Sequence, residues 1–135
     1  MRRTILLSAA LYLVTPFFVG CDREAKVEKA MGMHGARYLH VMVPCPLGWG
    51  SESKDTVRIA RLATESGYFP VFEAERGEVT SVRHIRHQVP VEDYLKLQGR
   101  YRHLFSPQRR DDVIDKLQAM ADRNIARYGL VEEVL

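Results

Sequence analysis

A single cysteine stands between two prolines, just ahead of a glycine-rich turn, in Val43-Pro44-Cys45-Pro46-Leu47-Gly48-Trp49-Gly50. Proline fixes its own φ and biases the residue before it toward extended geometry, so Pro44 and Pro46 stiffen the backbone on both sides of the sulfur. Gly48 and Gly50 let the chain turn and bring bare amides close to whatever the sulfur holds. A thiolate that ligates iron or zinc, or attacks as a nucleophile, needs such a positioned and partly electropositive setting. A structural cysteine more often lies inside an apolar run. The octapeptide alone leaves both readings of Cys45 open, ligand or reactive thiol on one side and loop cysteine on the other.

The other chemistry-bearing residues give weaker signals. Cys21 and Cys45 are the two cysteines, too few for a disulfide scaffold or a four-cysteine metal site, so a metal at Cys45 would need ligands from outside this chain. His84 and His87 lie three apart in an extended basic segment with no third ligand near them, which fits a solvated hairpin better than a metal site. His34, His40 and His103 are isolated. Trp49 either shields what Cys45 holds or packs the loop. The carboxylates fall mainly on helix faces and in turns, with no acid and base pair among them. No catalytic residue is assigned.

A sulfur in that loop must be positioned by a fold, and the pattern around it is α/β. The chain has 135 residues, 46% hydrophobic and 27% charged, enough for one globular domain with a real core. Its 20 Lys and Arg against 17 Asp and Glu are scattered, which argues against nucleic acid as a partner. Asp22 can cap a helix with Val27, Ala30 and Met31 on its apolar face, ended by Gly32 and Gly35. Arg37 to Val43 reads as a strand. Ser53 can cap a helix with Ile59, Leu62 and Ala63 on one face, stopped by Gly67. Tyr68 to Glu73 is the next strand, turned by Arg76-Gly77 into an extended stretch from Val79 to Ile85. Such alternation implies a parallel sheet with crossover helices, and it puts Cys45 just after a strand and before a helix, where open α/β sheets bind ligands.

The last third changes character. Pro90 can open a helix presenting Tyr94, Leu95, Gln98 and Tyr101, and Ser106-Pro107 the start of another. That final helix carries Val113, Ile114, Leu117, Met120, Ala121, Asn124, Ile125 and Tyr128 at helical spacing and ends at Gly129. Tyr94, Tyr101, Leu104 and this stripe suggest more apolar surface than a small α/β core covers, and so a docking face. The organisation expected is an amino-terminal strand or signal-like segment over 1–21, an α/β portion over 22–89 and carboxyl-terminal helices over 90–135.

The amino terminus has two readings. Met1-Arg2-Arg3, the apolar run Thr4 to Val19 and Gly20-Cys21 can be read as a lipoprotein signal, making the chain an exported α/β binding protein anchored through Cys21. Ala10 to Val19 can equally be a buried strand. The run is short of the roughly 20 residues a spanning helix needs, so no membrane-spanning anchor is expected.

Three separated stretches resemble, in order, the carboxyl-terminal part of pyruvate:ferredoxin oxidoreductase (pyruvate synthase) beta subunits. The first is Gly35 to Trp49. The second is Ile59 to Phe72, with an Ala-x-Glu-Ser-Gly-Tyr-Phe-Pro segment at Ala63 to Pro70. The third is Pro90 to Leu104. The resemblance covers about residues 22 to 130, and a looser similarity at Tyr12 to Thr15 favours the strand reading of the amino terminus. It implies part of a thiamine-diphosphate-binding fold, in a cytoplasmic enzyme that oxidises pyruvate with coenzyme A to acetyl-CoA and carbon dioxide. Thiamine pyrophosphate with magnesium, and a 4Fe-4S cluster that passes electrons to ferredoxin, would be its cofactors. Other subunits of the oxidoreductase and the amino-terminal part of the beta subunit would be its partners.

On the same resemblance Cys45 matches the last of four cysteine ligands of the 4Fe-4S cluster, and Cys21 matches none. This sequence departs from the family pattern in having no Gly-Asp-Gly diphosphate motif, no Cys-x-x-Cys pair and no third cysteine ahead of Cys45. The expectation is therefore the carboxyl-terminal piece of a beta subunit, from a split or truncated gene, that does not catalyse the reaction alone.

Overall fold

The computed structural model describes residues 22–132; residues 1–21, with the apolar run and Cys21, and residues 133–135 lie outside the description. The chain divides between His40 and Val41 into two units. In the first, helix α1 (Asp22–Gly32) forms where the capped pattern places it. Its expected apolar face is not buried: Val27 is 46% and Met31 72% exposed. Beyond α1 the chain runs irregularly to His40, with the Arg37 guanidinium held on the Met33 carbonyl.

The second unit contains the core. After Pro44-Cys45 come the short helix α2 (Pro46–Trp49), a 3₁₀ turn (Ser53–Asp55) and helix α3 (Thr56–Glu65). Strands β1 (Phe72–Glu75) and β2 (Glu78–Val82) follow, then helix α4 (Val91–Lys96), a second 3₁₀ segment (Gly99–Leu104) and helix α5 (Asp111–Tyr128). Ile59, Leu62 and Ala63 of α3 are buried against Val91, Tyr94 and Leu95 of α4, with Leu104 and Ile114 completing the cluster. The α3 face is the one its i, i+3, i+4 spacing specifies. The α4 face owes its position to an inter-helix cap: the Gln118 side chain of α5 accepts the Val91 amide at 2.8 Å, satisfying a donor that a helix start leaves open.

The sheet differs from the expectation. Among the described residues the only sheet is the antiparallel pair of β1 and β2, with Phe72 opposite Val82, Glu75 opposite Glu78 and a bulge after Glu73. The turn residues set that direction: Arg76 and Gly77 have φ of 55° and 90°, a two-residue left-handed turn that joins neighbouring strands antiparallel. A parallel sheet with crossover helices is not shown within these residues: the expected strand Arg37 to Val43 is irregular with no strand paired to it, and the expected strand Ala10 to Val19 lies outside the described residues. The hairpin is instead fastened to the end of α5. Phe72 stacks on Tyr128 at 4.6 Å between ring centres, and the Ile85 amide donates to the Leu130 carbonyl at 2.7 Å.

One further expectation is corrected. Ser106-Pro107 is a cis peptide ahead of a turn, and α5 starts at Asp111, where Asp111 and Asp112 place two carboxylates in the first turn, at the positive end of the helix. The carboxyl-terminal helices bury part of their apolar stripe within the unit: Tyr94 is 2%, Leu104 4%, Ile114 5% and Ala121 0% exposed, whereas Tyr101, Val113, Leu117, Met120, Ile125 and Tyr128 are half-buried. Ile114 of α5, with the aromatic residues around α4, packs on α3 in the core cluster, and Val113 and Leu117 lie against it.

Candidate functional site

Cys45 is free and exposed. Its φ of −105° and ψ of 109° are the extended geometry the following proline demands, and it occupies the N-cap of α2 with Pro46 at the first helical position. There the sulfur accepts the Gly48 amide at 3.4 Å, while the Cys45 carbonyl accepts the Trp49 amide at 2.9 Å. A Cβ at Gly48 would stand in ordinary contact with Cys45, 3.5 Å from the sulfur and 3.8 Å from its Cβ. The sulfur thus sits on a one-turn frame with a backbone donor directed at it.

The frame is clasped from the far side of α4. Gly50 leaves α2 with φ of 62°, and its carbonyl accepts the Gly99 amide at 3.0 Å. The two backbones approach so closely that a Cβ on Gly99 would stand 2.9 Å from the Gly50 oxygen. Next to this contact the Arg100 guanidinium lies 3.9 Å over the Trp49 ring centre and 4.8 Å from that of Tyr101. It is held flat by Nε donating to Gln98 Oε1 at 2.8 Å and Nη2 donating to the Tyr94 hydroxyl at 3.1 Å. Gln98 is itself 2% exposed and donates to the Tyr94 carbonyl at 2.6 Å. Trp49, of which the sequence allowed two uses, packs against the core and carries this cation.

Behind Arg100 lies a tyrosine cluster. Tyr68 and Tyr94 have ring centres 5.1 Å apart, and Tyr94 and Tyr101 6.4 Å. Burial, and then the hydrogen bond with Tyr101, push the Tyr68 hydroxyl up to about 12, and burial also raises Tyr94. These phenols stay protonated near neutrality and act as hydrogen-bonding groups. An open hollow of about 360 Å³ adjoins the Gly50–Gly99 contact, with Lys96 and Arg102 on its wall. Glu92 is engaged by Arg109 at 2.6 and 2.9 Å and by Lys96 at 2.8 Å, which hold its carboxyl down to about 2.

As one ligand of a larger set Cys45 fits: it is exposed, unpaired and amide-supported. It does not form a complete site, because among the described residues no three His, Cys, Asp or Glu side chains come together as a metal group. His84 Nε2 lies 3.8 Å from the Glu132 carboxylate, and His87 is exposed. What sequence reasoning missed is the clasp made by Gly99 and Arg100. Its residues lie in the quoted Pro90 to Leu104 stretch, but nothing in their spacing shows that they reach Gly50 and Trp49.

Over 109 residues the chain is 43% identical to the pyruvate synthase subunit PorB of Methanosarcina barkeri, covering 81% of this chain and 37% of that relative. Its similarity is to PorB subunits, consistent with a carboxyl-terminal portion of one. The PorB of Thermotoga maritima is 42% identical over 113 residues, 84% of this chain and 35% of that relative. A ketoisovalerate oxidoreductase subunit VorB of Pyrococcus abyssi is 37% identical over 85 residues, 62% of this chain and 27% of that relative. The chain thus spans little more than a third of the length of the PorB relatives it matches. No family model matches it. No helix among the described residues is long and apolar enough to cross a membrane.

Proposed function

We propose that this chain is the carboxyl-terminal part of a pyruvate:ferredoxin oxidoreductase beta subunit and that Cys45 is one thiolate ligand of its 4Fe-4S cluster. The observation that carries the reading is the exposed, amide-supported Cys45 sulfur within a segment 43% identical to a PorB subunit. Such a cluster would supply one-electron transfer chemistry, with Cys45 as one of the residues that would hold it. The chain's own contribution is to present a soft, negatively charged donor in fixed geometry. The Gly48 amide donates to that sulfur, and the Gly50–Gly99 and Trp49–Arg100 contacts hold the turn that carries it.

Thiamine pyrophosphate, magnesium, pyruvate and coenzyme A belong, in this reading, to the remainder of the beta subunit and its companion subunits, in a cytoplasmic complex. The thiamine-diphosphate-binding fold, with its parallel sheet, is completed there. The VorB relative keeps a branched 2-oxoacid open as an alternative substrate of the assembled enzyme.

The test places Cys45→Ser in the chain assembled with the rest of the subunit. Serine supplies neither the soft donor nor the charge, so electron paramagnetic resonance of the reduced complex should show the 4Fe-4S signal lost or converted, with thiamine pyrophosphate occupancy retained. Ferredoxin reduction should fall far more than cofactor content. An unchanged cluster signal with normal ferredoxin reduction refutes the assignment. The chain alone should be colourless, and pyruvate-dependent dye reduction by it would refute the fragment reading.

A further inference from the structure

In the turn that carries the sulfur, Cys45, Leu47, Gly48 and Gly50 are exposed, and Trp49 is the side chain that packs against the core cluster. The hydrogen bonds of the turn are largely internal. The Gly48 amide donates to the Cys45 sulfur at 3.4 Å, the Trp49 amide to the Cys45 carbonyl at 2.9 Å and the Ser51 amide to the Pro46 carbonyl at 3.0 Å. Such a turn moves as one piece, and its position past Pro44 is set by whatever holds Trp49 and Gly50.

One dipeptide holds both. Gly99 donates its amide to the Gly50 carbonyl at 3.0 Å, and the next residue, Arg100, lays its guanidinium 3.9 Å over the Trp49 ring centre. The guanidinium is itself fixed, because Nε donates to Gln98 Oε1 and Nη2 to the Tyr94 hydroxyl, and Gln98 and Tyr94 are each 2% exposed. These partners are ring faces and neutral oxygens, which is how an arginine fixes a plane rather than neutralises a carboxylate. The core of Ile59, Leu62, Val91, Leu95, Leu104 and Ile114 is closed without the Arg100 side chain.

We infer that Arg100 is a positioning residue for the Cys45 sulfur and acts through Trp49. It holds the indole ring against the buried Gln98 and Tyr94, the Trp49 amide holds the Cys45 carbonyl, and the sulfur is presented from that fixed backbone. The inference deepens the ligand role proposed above and rests on it: Arg100 touches neither the cluster nor the substrate, and its effect is on how long and in what geometry Cys45 keeps its iron.

The first measurement is amide hydrogen exchange on the full chain, with no cluster needed. Arg100→Ala should speed exchange of the Trp49 and Gly99 amides by at least about tenfold, since the turn then opens locally. Ile114→Val, which removes a core methyl group, lowers global stability by about 0.5–1.5 kcal/mol and should speed the Leu62 and Ala121 amides while leaving Trp49 and Gly99 unchanged. A merely structural Arg100 would have the turn amides respond to both variants alike.

The second measurement places the variants in the chain assembled with the rest of the subunit and follows cluster loss to an iron chelator by electron paramagnetic resonance. Arg100→Ala and Trp49→Leu should each speed the loss by at least about tenfold, and the double variant should lose its cluster no faster than the quicker single one, because the two residues act in series. Ile114→Val should lose its cluster at the parent rate. Unchanged turn amides in Arg100→Ala, turn amides that follow Ile114→Val equally, or additive rates in the double variant each overturn the inference. The two proposals fail separately: faster turn amides in an assembled parent without a Cys45-dependent cluster remove the ligand assignment, whereas a Cys45-dependent cluster indifferent to Arg100→Ala removes only the positioning role.

Discussion

Replacing Gly99 by alanine tests the clasp that holds the Cys45 turn. A Cβ at this position would lie 2.9 Å from the Gly50 oxygen and 3.4 Å from its Cα, and both are backbone atoms with no rotamer through which to retreat. Gly99 does not have a positive φ, so alanine there would ordinarily stabilise the protein by about 0.4–1 kcal/mol through the unfolded chain. Against this stand overpacking, about 1–3 kcal/mol, and loss of the Gly99–Gly50 hydrogen bond, about 1 kcal/mol. The net is a destabilisation of about 1–3 kcal/mol, or a fall in Tm of about 5–20 °C for a unit of this size.

Trp49 is the only tryptophan, so its emission reports the clasp directly. The assay is thermal unfolding followed by tryptophan fluorescence, with Gly48→Ala as the companion variant. A Cβ at Gly48 meets only the Cys45 side chain, its sulfur at 3.5 Å and its Cβ at 3.8 Å, both ordinary contacts, so this variant should melt with the parent or slightly above it. If Gly99→Ala melts within about 2 °C of the parent with unchanged Trp49 emission, the close approach is not a constraint and the reasoning fails.

Arg100→Ala removes the stack on Trp49, about 0.5–1 kcal/mol, and the charged donor to the buried Gln98 oxygen, about 1–3 kcal/mol. Chemical denaturation should register most of that loss, and Arg100→Lys should recover less than half, since an ammonium has neither the plane nor the fork; full recovery by lysine is the contrary result. Glu92 titrates near its ordinary 4.5 when unfolded and about 2 when folded, because Arg109 and then Lys96 hydrogen-bond the carboxylate. The unfolded chain therefore binds more protons in that window, and this contribution to stability is lost as pH falls from about 4.5 to 2; Glu92→Gln should flatten that part of a stability-against-pH curve, and an unaltered slope contradicts it. Tyr68 has the opposite dependence: its phenol ionises at 10 when unfolded and about 12 when folded, so stability is lost as pH rises between the two. Tyr68→Phe should remove that loss in alkaline unfolding monitored by absorbance, and a normal phenol titration in the parent would refute the burial argument.

Local chemistry was readable from the residues themselves. The helical face of Ile59, Leu62 and Ala63, the turn at Arg76-Gly77, the opening of α4 at Pro90 and the end of α5 at Gly129 all follow from side-chain spacing, proline and glycine stereochemistry, and they formed where those rules put them. The same rules identified Cys45 as an accessible sulfur in a stiffened loop, and the motifs in register pointed to the relatives later found. What they could not decide is which partner each element finds. The strand pattern of Arg37 to Val43 in the sequence finds no partner strand among the described residues. Hydrophobic spacing on α4 and α5 is the same whether the partner is another helix of this unit, as here, or another subunit. Gly99 and Arg100 clasp Gly50 and Trp49 only because α3, α4 and the segments between them fold back on one another. Periodicity is a property of one segment, whereas pairing, caps such as Gln118 on Val91 and backbone contacts such as Gly50 on Gly99 join segments far apart in sequence, and only the folded chain brings them within hydrogen-bonding distance.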